Sequence, residues 1–242
     1  MPGLNMMTPE TLLPLIGAPD APVLIDVCID EDFALDPRLI PGAFRHSFTD
    51  IEALAPALIN QEVVIICQKG LKLSQGAGAL LRAHGLQAKA LIGGMVGCAA
   101  RGYPAVPAAA LPKPRFVAAE APTSNAVAAL WLIKRFVRSD TQIMFVAEET
   151  LEAVADRFDA TPLMPFSDLQ NELGLDQPSL TQIAETLAGN TPEAAGITAA
   201  LTGLRALNSS DQSYMAATLP LFDALHCAFH NASDTPSEGA AT

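Results

Sequence analysis

Cys67 is the residue in this chain that is best placed to do chemistry, because it follows a run of apolar strand-forming residues, Val63 to Ile66. A short loop comes next, and the pattern from Leu73 to His84 predicts a helix. A thiol there meets unpaired backbone N–H groups and the positive end of a helix dipole, which both favour an anion. Such surroundings lower the pKa of a cysteine from about 8.5 towards neutrality. The pattern therefore predicts that Cys67 is a reactive nucleophile.

The loop after Cys67 holds two positive charges, Lys69 and Lys72, and one glycine, Gly70. The lysines mark the loop as a place where a small anion can approach. Gly70 allows the backbone to close into a tight ring of N–H groups, and we expect a side chain there to crowd the bound group. The alternative interpretation is that Cys67 is an ordinary buried strand cysteine. The adjoining residues favour the reactive one.

The elements that must position this loop alternate between strand and helix over the first hundred residues. Predicted strands cover 22–27, 63–66 and 88–92, and predicted helices begin near Pro9, Asp30, Leu73 and Gly94. This rhythm predicts an α/β fold, an open parallel sheet with helices on both faces. In such sheets the sites lie beyond the carboxyl ends of the strands, which is where Cys67 falls.

The second half of the chain has a different character. Residues 105–123 are rich in proline and alanine and predict a semi-rigid linker between a first domain, 1–104, and a mainly α-helical second domain, 124–231. One strand is expected at 142–146, and Pro220 is expected to kink or restart the last helix. The small polar residues of 232–242 predict a flexible tail.

Composition limits the partners. The net charge is −12, of which −9 falls on residues 106–242, so a nucleic-acid partner is not expected. No apolar run approaches the roughly 18 residues that cross a bilayer, so no membrane partner is expected either. The first residues lack the basic and apolar regions of a secretion signal, which makes the cytoplasm the expected location.

The four cysteines are scattered, which favours reduced thiols over a disulfide framework. No motif for a cofactor is present. His226 and His230 share a helix face, but no second group of ligands completes a metal site, so we expect neither a cofactor nor a metal.

The first half of the chain resembles the rhodanese family of single-domain sulfurtransferases over positions 8–104. The resemblance rests on the order and spacing of five segments, which are Pro22–Val27, the turn Ile40-Pro41-Gly42-Ala43, the loop Cys67-Gln68-Lys69-Gly70-Leu71-Lys72, the pair Gly93-Gly94, and Gly102-Tyr103-Pro104. Lys72 stands where the family usually has arginine, and Cys28 stands where an arginine often follows the strand aspartate.

The resemblance implies a thiosulfate sulfurtransferase. Cys67 would take a sulfane sulfur from a small anionic donor such as thiosulfate, become a persulfide, and pass the sulfur to a thiol or cyanide acceptor. The anion would be bound by the backbone N–H groups of the loop residues Gln68, Lys69, Gly70, Leu71, Lys72 and Leu73. Related cysteine phosphatases use a loop one residue longer, so the loop size favours sulfur over phosphate.

The second half resembles the C-terminal domain of chromate-resistance proteins. The similar segments are Ala128–Phe136, Gly174-Leu175-Asp176, Pro192–Gly196 and Leu221–Leu225. Ala129 and Leu130 replace the Cys-Pro of that family, so a metal or redox role of those residues does not transfer to this chain.

Two alternatives stay open at this stage. The chain is either a sulfurtransferase or a non-enzymatic thiol-based sensor or binding module of an oxyanion or oxidative stress response. Cys28 and Cys98 are either thiols that relay the sulfur or small buried side chains, and we favour packing for both. Asp26 is expected to satisfy backbone donors nearby.

Overall fold

The structure is a computed structural model that describes residues 3–234. Its described residues divide into two compact units. The first contains residues 3–111 together with Lys134–Ser139, and the second contains Pro112–Ile133 together with residues 140–234.

The chain begins with alternating short strands and helices. In order these are β1 (Met6–Met7), α1 (Pro9–Leu12), β2 (Val23–Asp26), α2 (Asp30–Leu35), β3 (Arg38–Leu39), β4 (Phe44–Arg45), β5 (Glu62–Ile66), α3 (Lys72–Ala83), β6 (Gln87–Leu91), α4 (Gly94–Ala99) and β7 (Val106–Pro107). Three stretches of 3-10 helix occur among them, at Leu13–Leu15, Phe48–Leu58 and Ala108–Ala110.

The rest of the chain is mainly helical. Its elements are β8 (Arg115–Ala119), α5 (Ser124–Phe136), β9 (Gln142–Val146), α6 (Leu151–Phe158), β10 (Thr161–Pro162), α7 (Phe166–Glu172), α8 (Pro178–Leu187), α9 (Ala194–Leu207) and α10 (Asp211–Asp234), with a 3-10 turn at Glu148–Thr150.

The first unit is built on a five-stranded sheet in the order β1-β6-β5-β2-β4, and every neighbouring pair is parallel. The middle strand, β5, is apolar from Val63 to its end. Val63, Val64, Ile65 and Ile66 are all 0 % exposed although successive side chains point to opposite faces. Both faces of the sheet are therefore covered, and the predicted α/β class with an open parallel sheet is confirmed.

Helix starts in this unit follow the predicted signals. The Thr8 hydroxyl caps α1 by accepting a hydrogen bond from the N–H of Thr11, and Pro9 takes the first helical position. The predicted helix over 30–35 matches α2. The long 3-10 helical stretch Phe48–Leu58, which buries Ile51, Ala55 and Leu58, was not predicted. Pro56 and a kink at Asp50 interrupt its sequence pattern.

The expected linker differs most from the structure. Residues 105–123 contain β7, a 3-10 turn and β8, and β8 is the middle strand of a second parallel sheet with the order β10-β8-β9. Phe116 and Val117 of β8 are buried, so this segment is part of a core and not a spacer. β8 was not predicted from the sequence because it has only five residues and lies among prolines.

The long final helix also differs from the prediction. Pro220 lies inside α10, which continues through it. Residues 232–234 belong to this helix, whereas the remainder of the predicted tail lies outside the described residues. The strand expected at 142–146 matches β9. The Trp131 indole of α5 donates a hydrogen bond to an Asp223 carboxylate oxygen of α10 at 2.8 Å.

Between residues 3 and 234 the structure contains no helix that is both long enough and apolar enough to span a bilayer.

Truncation of the buried sheet should destabilise the first unit. We expect Ile65→Ala to lower the free energy of unfolding by about 2–5 kcal/mol, because the side chain is fully buried and its removal leaves a cavity. Leu35→Ala is the control, since Leu35 is 78 % exposed, and should change it by less than about 0.5 kcal/mol. Urea unfolding followed by circular dichroism measures both, and equal effects would contradict the assignment of β5 to the core.

Candidate functional site

Cys67 lies directly after the end of the central strand β5, as predicted. Its side chain is 6 % exposed and belongs to the buried cluster that contains Ile65 of β5 and Ala77 and Leu81 of α3. The thiol is therefore at the carboxyl edge of the sheet but below the surface. A reactant must enter the loop to reach it.

The thiol takes part in a short chain of hydrogen bonds. The Cys67 S–H donates to the Ser74 hydroxyl at 3.2 Å, and that hydroxyl donates to the Leu71 carbonyl, also at 3.2 Å. Ser74 is 0 % exposed and lies in the first turn of α3. Since a hydroxyl both donates and accepts, Ser74 can turn its proton toward the sulfur once Cys67 has lost its own. It is thus the side chain positioned to stabilise a thiolate.

The backbone carbonyl groups of the loop accept hydrogen bonds from α4 and from Gln75. Those of Cys67 and Gln68 accept hydrogen bonds from the N–H groups of Met95 and Val96 at the start of α4, at 3.1 and 3.0 Å. The carbonyls of Gly70 and Leu71 accept from the side-chain amide and the backbone N–H of Gln75, at 3.3 and 3.0 Å.

The N–H groups of the same loop have no such partners. From Gln68 through Ser74, no backbone N–H finds a hydrogen-bond acceptor anywhere in residues 3–234. Free N–H groups at the first turn of a helix, here the twelve-residue α3, are the kind of backbone groups that can bind an anion. They do not donate to the Cys67 sulfur itself, so their expected role toward a sulfur-bound anion stays a prediction.

Two glycines bring the loop and the start of α4 into backbone contact. Gly70 has φ +66, and a Cβ there would lie 2.2 Å from the Leu91 carbonyl oxygen. Gly94 has φ +56, and a Cβ there would lie 2.0 Å from the Cys67 carbonyl oxygen. The predicted need for glycine at position 70 therefore has a different cause from the one expected. A side chain would collide with the backbone near Gly93, independently of any bound group.

The charged residues of the loop face solvent. Lys69 and Lys72 are both exposed, and neither forms an ion pair within the described part of the chain. Leu71, which precedes α3, is 57 % exposed, and Leu73 is half-buried against the core. The lysines are thus placed to attract an anion toward the loop, while Leu73 holds the helix on the sheet.

A second polar group is buried at the end of the neighbouring strand, β2. Asp26 is 1 % exposed and accepts the Cys28 N–H at 2.8 Å, which agrees with the expectation that it satisfies nearby backbone donors. Its other oxygen accepts the Cys28 S–H at 3.6 Å. Burial raises the pKa of Asp26, and burial together with the Asp26 charge raises the pKa of Cys28 well above its usual range.

Cys98 differs from both other buried thiols of this unit. It lines a small apolar cavity with Leu12, Ile16 and Tyr103, and burial raises its pKa to about 11. This environment fits a packing role. Within residues 3–234, no three His, Cys, Asp or Glu side chains come together in a way that could hold a metal ion.

Sequence reasoning located the thiol and its loop but missed Ser74 and the part played by α4. A hydroxyl seven residues after Cys67, in the first turn of a predicted helix, was the available signal for Ser74. The contact between Gly94 and the loop had no such signal, because the two segments lie more than twenty residues apart.

Gly94 offers a test of the backbone contact. We expect Gly94→Ala to destabilise the first unit by more than Gly85→Ala does, because both residues have positive φ but only Gly94 is crowded. At Gly85 (φ +83) a Cβ meets nothing within 4 Å, so that variant should show the conformational cost alone, about 1–2 kcal/mol. Urea unfolding compares them, and equal losses would mean that the loop and α4 separate easily.

Among solved structures, the first part of the chain is similar to a rhodanese-related protein from Thermoplasma volcanium, with 20% identity, a TM-score of 0.37, and coverage of 42% of this chain and 97% of the other. A rhodanese homolog from Thermus thermophilus has 27% identity and a TM-score of 0.32, and covers 38% and 99%. An As-Sb reductase from Leishmania major has 20% identity and a TM-score of 0.34, and covers 40% and 78%.

No curated protein matches this chain. Among protein families, residues 116–229 match the model of the ChrB C-terminal domain, as the resemblance of the second half predicted.

Proposed function

We propose that the chain is a sulfurtransferase that carries a sulfane sulfur on Cys67. The observation that supports this most directly is the asymmetry of the loop after β5. Its carbonyls are bound by α4 and Gln75, and its N–H groups from Gln68 to Ser74 have no acceptor in the described chain. Donors fixed in this way favour a small group that carries negative charge near the Cys67 sulfur.

The proposed reaction has two steps. The Cys67 thiolate attacks the outer sulfur of thiosulfate, the bond between the two thiosulfate sulfurs breaks, and sulfite leaves with the electron pair. The terminal sulfur of the resulting persulfide bears the negative charge and lies among the loop N–H groups. A thiol or cyanide acceptor then attacks that terminal sulfur and restores the Cys67 thiolate, so the kinetics should be ping-pong.

Each nearby group has a part in this scheme. Lys69 and Lys72 attract the dianionic donor by their charge, and as point charges they do so without the paired geometry of arginine. Ser74 stabilises the thiolate before the attack and after the release. The 6 % exposure of Cys67 favours donors and acceptors that are small or end in a narrow group.

A sensor is the second candidate. The low exposure of Cys67 favours it, because a shielded thiol can be modified without rapid turnover. In a sensor, the region that matches the ChrB C-terminal domain, residues 116–229, would respond to the modification of Cys67. In this case Cys67 would take up a single stoichiometric modification.

The central test is the transfer itself. Incubation of the full chain with thiosulfate should add the mass of one sulfur atom to the peptide that contains Cys67, and addition of cyanide should release thiocyanate repeatedly. Cys67→Ser should abolish both, whereas Cys98→Ser, a matched change of another buried thiol, should keep them. Retained turnover in Cys67→Ser would refute the proposal, and one modification without turnover would favour the sensor.

The role of Ser74 gives a separate prediction. Ser74→Ala should lower kcat/KM for thiosulfate about 10- to 100-fold, because a hydrogen bond to a charged group contributes about 1.5–3 kcal/mol. Ser47→Ala, which removes an exposed hydroxyl elsewhere in the same unit, should leave the rate unchanged. Steady-state kinetics with both variants decide the point, and an unchanged rate in Ser74→Ala would exclude a role for its hydroxyl.

A further inference from the structure

Cys28 lies beside Cys67 at the ends of two neighbouring strands. β2 pairs with β5 in parallel, with Asp26 opposite Ile66, and the N–H of Val27 continues the ladder by donating to the Ile66 carbonyl at 2.8 Å. Val27 is therefore opposite Cys67, and Cys28 is the next residue. Both cysteines belong to the same buried cluster.

This register brings the two residues within reach of a disulfide. Strands in a sheet lie about 4.8 Å apart and rise about 3.3 Å per residue, so strand geometry continued past the ends of β2 and β5 would place the Cα atoms of Cys28 and Cys67 about 6 Å apart. Disulfides join Cα atoms that are about 4.4–6.8 Å apart. Strict alternation along β2 would point Cys28 away from Cys67, but β2 ends at Asp26, and Cys28 belongs to the same buried cluster as Val27 and Cys67.

Asp26 supplies a base for the second thiol. One carboxylate oxygen is held by the Cys28 N–H, which leaves the other facing the Cys28 sulfur at 3.6 Å. The Cys28 carbonyl is fixed in turn by the Arg45 guanidinium at 3.0 Å. Cys28 thus has a fixed backbone and a proton acceptor beside its sulfur.

We propose that Cys28 is a resolving thiol that discharges the Cys67 persulfide when no external acceptor is present. The Cys28 sulfur attacks the Cys67 Sγ, the bond from that Sγ to the terminal sulfur breaks, and the terminal sulfur leaves as hydrosulfide. The Cys28 proton passes to Asp26 and then to the departing sulfur, which is how that sulfur leaves as hydrosulfide. The sulfane sulfur is reduced by two electrons, and the two cysteine sulfurs are each oxidised by one.

The step rests on the proposed sulfurtransferase function, because that function supplies the persulfide. Its product is a Cys28–Cys67 disulfide, which external low-molecular-weight thiols reduce to restore the starting state. The site would thereby release sulfide and keep the exposed end of the persulfide from further oxidation.

The test follows sulfide and the disulfide in the full chain. Reduced protein is loaded with sodium thiosulfate, freed of small molecules, and incubated without thiol. Released sulfide is trapped with monobromobimane, and the peptides are mapped without reduction. The unmodified chain should release sulfide in proportion to the loaded Cys67 and gain a Cys28–Cys67 cross-link. In Cys28→Ser and in Cys28→Ala the persulfide should persist, and the rate of sulfide release should fall at least about tenfold. Cys98→Ser should behave like the unmodified chain.

A second arm, oxidation of the reduced chain by diamide, separates the two proposals. Persulfide that forms but decays equally in the unmodified chain and in Cys28→Ser overturns the resolving role alone. Absence of a Cys28–Cys67 cross-link after diamide also overturns it. Failure of thiosulfate to load Cys67 while diamide forms the cross-link overturns the sulfurtransferase function, and with it sulfide release, but supports the pairing of the two thiols.

Discussion

The candidate site depends on one constraint, the close backbone contact between the loop after β5 and the first turn of α4. The N–H groups of Met95 and Val96 bind the carbonyls of Cys67 and Gln68, and this contact is possible only because Gly94 has no side chain. Because the C=O and N–H of a trans peptide point in opposite directions, the N–H groups of Gln68 and Lys69 face away from α4. The polarity of the site is therefore set by tertiary packing and not by the loop sequence alone.

The parallel sheet explains why these groups meet. Cys67 and Cys28 follow adjacent parallel strands, so both thiols are delivered to the same edge of the sheet. The first turn of α3 then places Ser74 within hydrogen-bond distance of Cys67. The result is a buried thiol followed by a loop whose N–H groups have no acceptor in the described chain. A second thiol, paired with a buried carboxylate, belongs to the same cluster.

Local sequence signals predict much of this arrangement, but they do not predict the contacts between residues far apart in the chain. The strand before Cys67, the start of α3 and the span of α2 follow from apolar runs and capping residues, which act within a few positions. The contact of Gly94 with the loop joins segments far apart in the chain, and no periodicity reports it. β8 lies inside the predicted linker for a related reason. Its neighbours are prolines and alanines, and it is held as a strand by pairing with β9 and β10.

The two positive-φ glycines at this contact have a consequence for how the sequence can change over time. Gly70 and Gly94 are required by backbone collisions that exist whether or not position 67 is a cysteine. A descendant that lost its thiol would still be under selection to keep both glycines in order to fold. The glycines alone in a related sequence would therefore record the shape of the loop and would say nothing about whether the chemistry survived.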